Sequence, residues 1–196
     1  MADDREGGDA EAERLRDTDG RHDRVQGSDD IRRAFVIIAG TGHRPPKLGG
    51  YAEDVRTALR RLAVGYLAAE LPEQAISGMA LGWDEAFAEA ALEVGIPLVA
   101  AVPFEGHDSR WPPESRRRIE ILLSKAAAIH IVSDTPGSRA MQQRNEWMVH
   151  RAHKMCALWD GSWGGTFNCL KYAKKVGRPF DNLWSRWDND LSGLLG

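Results

Sequence analysis

Apolar residues fall along this chain in two alternating patterns. Short runs rich in apolar residues at 34–39, 74–79, 97–102, 127–132 and 155–159, with a sixth candidate at 180–184, are separated by stretches in which apolar positions recur every three or four residues. Successive side chains of a strand point to opposite sides, so an unbroken apolar run predicts a strand buried on both faces. The recurring positions predict amphipathic helices. Over 51–70, Val55, Leu59, Leu62 and Tyr66 make one stripe, and Pro72 marks its end. Over 139–153, Met141, Asn145, Met148 and Ala152 make another, with Arg144 beside it. Further helices are expected over 85–94, 114–125 and 167–176, the first and last stopped by Gly95 and Gly177. Strand and helix alternate throughout. The expected fold class is therefore α/β: a Rossmann-like, mainly parallel sheet with helices on both faces, in a single domain.

Three of the apolar runs open into glycine with serine or threonine. The first carries Gly40, Thr41, Gly42, His43 and Arg44, the second Ser77, Gly78, Gly82 and Asp84, and the fifth Gly164, Gly165 and Thr166. Open α/β sheets receive ligands at the carboxyl ends of their strands. Glycine there lets a backbone approach a ligand, and amides at helix N-termini accept an anion. A plain tight turn would also use glycine, and the repetition of the pattern speaks against that. Asp84 is placed to cap the helix at 85–94, or to act as acid, base or hydroxyl acceptor. Asn145 on an apolar stripe needs a partner, either neighbouring backbone or a cleft. The loop 103–113, with Phe104, His107 and Trp111, has the composition of a lid. The run Arg116, Arg117 and Arg118 opposes the helix dipole and reads first as a solvated face, with an anion site as the alternative.

Composition narrows the class. With 196 residues, 42% hydrophobic and 28% charged, the chain suits one globular domain. No apolar run approaches the roughly 20 residues of a membrane helix, and the N-terminus lacks a secretory signal's apolar region. The net charge of −3 hides an asymmetry. Residues 1–30 hold 11 acids against 5 arginines, leaving 18 acids against 21 Lys+Arg in residues 31–196. The first stretch is expected to be a disordered acidic tail. The body's mild positive charge fits a small anion and is too weak to imply nucleic acid by itself. Cys156 and Cys169 form no CxxC pair and sit in apolar surroundings, so a cytoplasmic protein with reduced thiols is expected. Neither GxGxxG nor GxxxxGK[ST] occurs, and no metal or cofactor is implied.

Several segments carry a family resemblance. SGMALGWDEAFAEAAL resembles the SG-x-A-x-G-x-D-x-x-A segment of the DprA (Smf) proteins. DGSWGGTFNCLKYA resembles the GG-x-G-T turn of the LOG phosphoribohydrolases, and RNEWM is similar to their RK-x-x-M helix. Together with GTGHRP these place the body, from about 33 to 184, as similar to SLOG-superfamily proteins of the YspA/YpsA type. The resemblance implies a nucleotide or nucleotide-derived ligand contacting Gly42, Ser77, Gly78, Gly82, Asp84, Arg144, Asn145, Gly164, Gly165 and Thr166. It also implies a homodimer, for which exposed tryptophans near Trp184 and Trp187 would supply an interface.

The departures concern chemistry. LOG enzymes cut an N-glycosidic bond with a Glu three residues after the Thr of their turn, and that position here is Cys169. The second residue of the RK pair is Asn145. Asp84 and Arg144 remain as candidates for chemistry, so a phosphoribohydrolase-like enzyme and a ligand sensor both stay open. A DprA-like single-stranded DNA-binding protein is the alternative, for which Trp83, Trp111 and Trp163 are aromatics suited to stacking.

Overall fold

The computed structural model describes residues 35–195, and the expected tail at 1–30 lies outside them. The elements alternate as expected: β1 (Ile37–Gly42), α1 (Glu53–Glu70), β2 (Gln74–Ser77), α2 (Trp83–Glu93), β3 (Leu98–Val102), α3 (Pro113–Lys125), β4 (Ala128–Ile131), α4 (Ser138–Arg151), β5 (Lys154–Leu158), α5 (Gly165–Lys175), β6 (Phe180–Asn182) and α6 (Trp184–Leu195). A single 3-10 turn, Pro45–Lys47, follows β1. The strands form one parallel sheet in the order β4-β3-β2-β1-β5-β6. This is a Rossmann-like α/β fold.

The apolar runs are explained by what covers each face. Ile38, Ala75, Leu98, Ala100, Val102, Cys156 and Leu158 pack beneath α1, α2, α3 and α6. Their neighbours Ala39, Ile76, Val99, Ala101 and Met155 pack beneath α4 and α5. Alternate residues thus serve opposite layers, and the buried polar side chains Thr41 and Ser77 fall at the carboxyl ends of β1 and β2. The edge strand β4 differs, being exposed at all four positions.

β1 is displaced from its expected place. It runs on through the glycines and ends at Gly42, because Gly40, Thr41 and Gly42 pair in register with Cys156, Ala157 and Leu158 of β5. The turn therefore begins at His43, whose amide donates to the Leu158 carbonyl at 3.1 Å. Two of the glycines answer to packing. A Cβ on Gly40 would lie 2.5 Å from the Phe87 ring, and one on Gly42 2.5 Å from Trp83. The aromatic side of α2 lies directly on the backbone of β1.

The chain's end also departs from expectation. α6 packs on the α1 side of the sheet, with Trp187 fully buried and Trp184 half-buried against the core. Trp187 is therefore not the exposed dimer contact expected of it, and Trp184 is only partly exposed. Trp83 is likewise fully buried and offers no stacking surface. No described helix is long and apolar enough to cross a membrane.

Gly40→Ala is expected to destabilise the fold by about 1–3 kcal/mol through overpacking against Phe87. Gly165→Ala, whose Cβ would meet open space, is expected to be neutral or stabilising by less than about 1 kcal/mol. Chemical denaturation of the two variants checks the contrast.

Candidate functional site

Strand order reverses at β1. The chain leaves β1 toward α1 on one face and leaves β5 toward α5 on the other, opening a crevice between their carboxyl ends. That crevice is a cavity of about 460 Å³, within the range of small-molecule sites. Its wall brings together Thr41, Gly42, His43, Arg44, Asp84, Arg144, Asn145, Gly164, Gly165 and Thr166. The candidates Gly40, Ser77, Gly78 and Gly82 are not part of this wall. Pro46, Lys47, Ala80, Met141 and Trp163 join the wall without having been assigned from the sequence as site residues.

Asp84 is 4% exposed and sits in the first turn of α2. It does not cap its own helix, which starts at Trp83 after Gly82 and has no side-chain cap. Its Oδ1 accepts the Gly42 amide at 3.2 Å, and its Oδ2 accepts Arg144 Nη1 at 3.2 Å. Burial pushes the Asp84 carboxyl up, and the charges of Arg144 and Arg44 with the Gly42 amide oppose the rise. The same Arg144 Nη1 donates to the Gly78 carbonyl. A Cβ on Gly78 would collide with that guanidinium, so glycine is required there for the ion pair to form. Ser77 Oγ donates to the Asp84 carbonyl at 2.7 Å and accepts the Met79 amide at 3.1 Å. Gly82 has φ +91°, and a Cβ there would meet the His43 carbonyl at 2.6 Å. These residues carry the site's frame.

Across the cavity, α5 begins at Gly165 with no side chain capping its N-terminus. Asn145 Nδ2 donates to the Gly165 carbonyl at 3.3 Å. The buried amide is thus both satisfied by backbone and part of the cleft. Arg144 Nε is buried with no hydrogen-bond partner. Cys169, at the LOG glutamate's position, is fully buried beneath this layer, and burial pushes its thiol up to about 11. It carries no charge near neutral pH.

The floor at β1 is a second polar cluster. His43 Nε2 lies 2.6 Å from Asp160 Oδ1, and its ring meets the edge of Trp184 at 5.8 Å. Burial lowers the His43 pKa and the Asp160 carboxylate opposes the fall, while the Asp160 amide donates to the same Nε2 at 3.1 Å. Asp160 also accepts the Ser162 amide at 2.8 Å and faces Lys47 Nζ at 3.7 Å. Burial would raise its pKa, but the bonds from Ser162 and His43 hold it well below the usual carboxylate range. An Asp-Gly-Ser sequence after a strand signals such an Asx turn, and that was the available clue to Asp160.

The loop at 103–112 does not stand open as a lid. His107 Nε2 contacts the Met79 carbonyl at 3.1 Å, and its ring meets Trp111 edge-on at 5.2 Å. Trp111 packs on the core and carries the Arg44 guanidinium 5.7 Å above its ring. Of the three consecutive arginines, Arg118 pairs with Glu85 at 2.5 Å, while Arg116 and Arg117 are exposed.

The family described as YspA SLOG matches residues 38–179, from β1 to the approach of β6. The chain belongs to the YspA SLOG family. It is 32% identical over 118 residues to the uncharacterized SPbeta prophage-derived protein YoqJ of Bacillus subtilis, covering 52% of this chain and 69% of that one. Among solved structures it resembles DNA processing protein A of Streptococcus pneumoniae, with TM-score 0.57, 18% identity and 76% of this chain covered. The match spans only 50% of that protein. It also resembles DNA processing protein A of Helicobacter pylori, whose structure is described for its single-stranded DNA binding mode. There the TM-score is 0.57 and the identity 16%, over 82% of this chain and 80% of the other. At such identities the shared property is the fold, and the SLOG resemblance read from the sequence agrees with it.

Two outcomes test this geometry. Asp84→Asn leaves Arg144 without its counter-charge in a buried site, and denaturation is expected to show a loss of about 3–5 kcal/mol. His43 and His107 both have pKa values lowered by burial from the ordinary 6.5. The unfolded chain therefore binds their protons first, so stability present above about pH 6.5 is lost as pH falls toward the folded values. Melting temperature is expected to fall between about pH 7.5 and about pH 5.5, and His107→Gln to make that fall shallower.

Proposed function

We propose that this protein binds a nucleoside phosphate, or a ligand derived from one, between β1 and β5, and acts as a sensor that leaves the ligand intact. The observation that carries this reading is Arg144, a buried arginine in the wall of a cavity that also contains the uncapped N-terminus of α5. The first amides of a helix have no partner within it and favour an anion. A guanidinium in a cavity wall is a fixed positive charge with several donors, and a phosphate oxygen is a strong acceptor for it.

Charge supports the same class of ligand. Arg44, Lys47 and Arg144 line the cavity against one carboxylate, that of Asp84. Because Asp84 is already paired, the remaining field favours an anion.

The sensor reading rests on what the carboxylate is doing. Cleavage of an N-glycosidic bond calls for a carboxylate that activates water or stabilises a ribosyl cation. Both oxygens of Asp84 are engaged, one by backbone and one by Arg144. The residue at the LOG glutamate's position is an uncharged thiol beneath the wall.

Calorimetry against nucleoside monophosphates, ribose 5-phosphate and inorganic phosphate tests binding, and release of free base tests cleavage. Saturable binding without base release is expected; base release by the wild type would overturn the sensor reading. Gly165→Asp places a carboxylate at the start of α5, where the dipole favours it by about 0.3–1 kcal/mol. Thermal stability should hold or rise, while like-charge contact weakens phosphate binding more than about tenfold.

A further inference from the structure

Trp163 is 81% exposed, the most exposed of the described large hydrophobic side chains, and it stands in the wall of the cavity. Nothing in the fold requires an indole there. The large buried side chains of the two core clusters pack without it. Its position is nevertheless held. The ring contacts Phe167 at 4.3 Å and 51°, and Phe167 in turn meets Trp159 at 6.1 Å. Trp159 is pinned by its own indole N–H, which donates to the Ser162 carbonyl at 2.8 Å. A backed aromatic ring with an open surface is a platform on which another flat ring stacks.

The location selects the ring. Trp163 is three residues before Thr166, so its backbone lies at most about 10 Å from the helix start proposed to hold phosphate. A base joined through ribose to a phosphate bridges such a separation within one small molecule. We infer that Trp163 is the base-stacking element of this site and that the ligand is an intact mononucleotide, carrying an aromatic base as well as a phosphate. This rests on the nucleoside-phosphate reading above and names the side chain that holds the base. A nucleobase could also arrive as part of single-stranded DNA. The cavity is a single pocket with its cations at one end of the sheet, which favours the mononucleotide.

The experiment compares wild type, Trp163→Ala and Trp163→Phe in titrations with nucleoside monophosphates, ribose 5-phosphate and a thymidine oligonucleotide. Because Trp163 is so exposed, all three proteins should melt alike. Wild type should bind a nucleoside monophosphate about tenfold or more tightly than ribose 5-phosphate. Trp163→Ala should lose that advantage and keep its affinity for ribose 5-phosphate, and Trp163→Phe should retain most of it. Fluorescence adds a separate readout: base stacking should quench wild-type emission, and Trp163→Phe should bind without that quench. Equal losses for nucleotide and ribose 5-phosphate, or no loss for either, would overturn the stacking role while leaving the phosphate site standing. Failure of wild type to bind any phosphate would overturn both. Oligonucleotide affinity far above that of the mononucleotide, and dependent on Trp163, would overturn the mononucleotide assignment in favour of single-stranded DNA.

Discussion

The buried pair between Asp84 and Arg144 is the constraint on which the site depends. Through it the carboxylate from α2 holds the amide at the end of β1, and the guanidinium from α4 holds the carbonyl after β2. Segments on both faces of the sheet therefore meet in one cluster. Removing two charges from water is expensive, and attraction repays it only when the remaining donors and acceptors are also satisfied. Here almost all of them are. The exception is Arg144 Nε, buried without a partner on a residue that also lines the cavity at the reversal of strand order. The ion pair and the cavity wall thus share a residue, whose Nη1 holds the frame to Asp84 and Gly78.

That arrangement explains which glycines the fold needs and why. Gly78 makes room for a guanidinium, Gly40 and Gly42 make room for the aromatic side of α2, and Gly82 adopts a positive φ beside the His43 carbonyl. Each lets one part of the frame approach another. Gly165 differs, because a Cβ there would meet nothing. Its freedom faces the cavity. Glycine-rich turns that look alike in the sequence therefore do different work, some admitting neighbouring side chains and one admitting solvent or ligand.

The fold is legible in the sequence because burial on both faces leaves apolar runs, and helices on those faces leave three- and four-residue periods. Strand order is not legible, since the same alternation of strand and helix is compatible with more than one arrangement of the sheet. The extent of β1 is misread for a local reason. Glycine signals a turn, yet pairing with β5 carries the strand through Gly40, Thr41 and Gly42. Most of the site was recoverable because SLOG-like segments fall at strand ends. Lys47 was not, because it matters through contacts made across more than a hundred residues, and for Asp160 the sequence offers only the turn signal of Asp-Gly-Ser. Trp184 and Trp187 read as surface residues because a short C-terminal stretch offers no period long enough to reveal α6 as a covering helix.

The replacement of a carboxylate by Cys169 bears on chemistry through position as much as through acidity. The thiol is buried under Thr41 and is neutral, so the wall at this point presents hydroxyl and backbone groups to the cavity. An anion bound at α5 would meet helix amides and Arg144 without a nearby negative charge from that helix. A glutamate in the same place would stabilise a ribosyl cation but would also repel the phosphate, unless a second cation balanced it. The second cation of the RK pair is absent as well, its place taken by the neutral Asn145. The two departures are electrostatically consistent, since loss of the acid removes the need for the extra base. On the sensor reading proposed above, such a pocket holds a phosphate without the charges that would break the bond beside it.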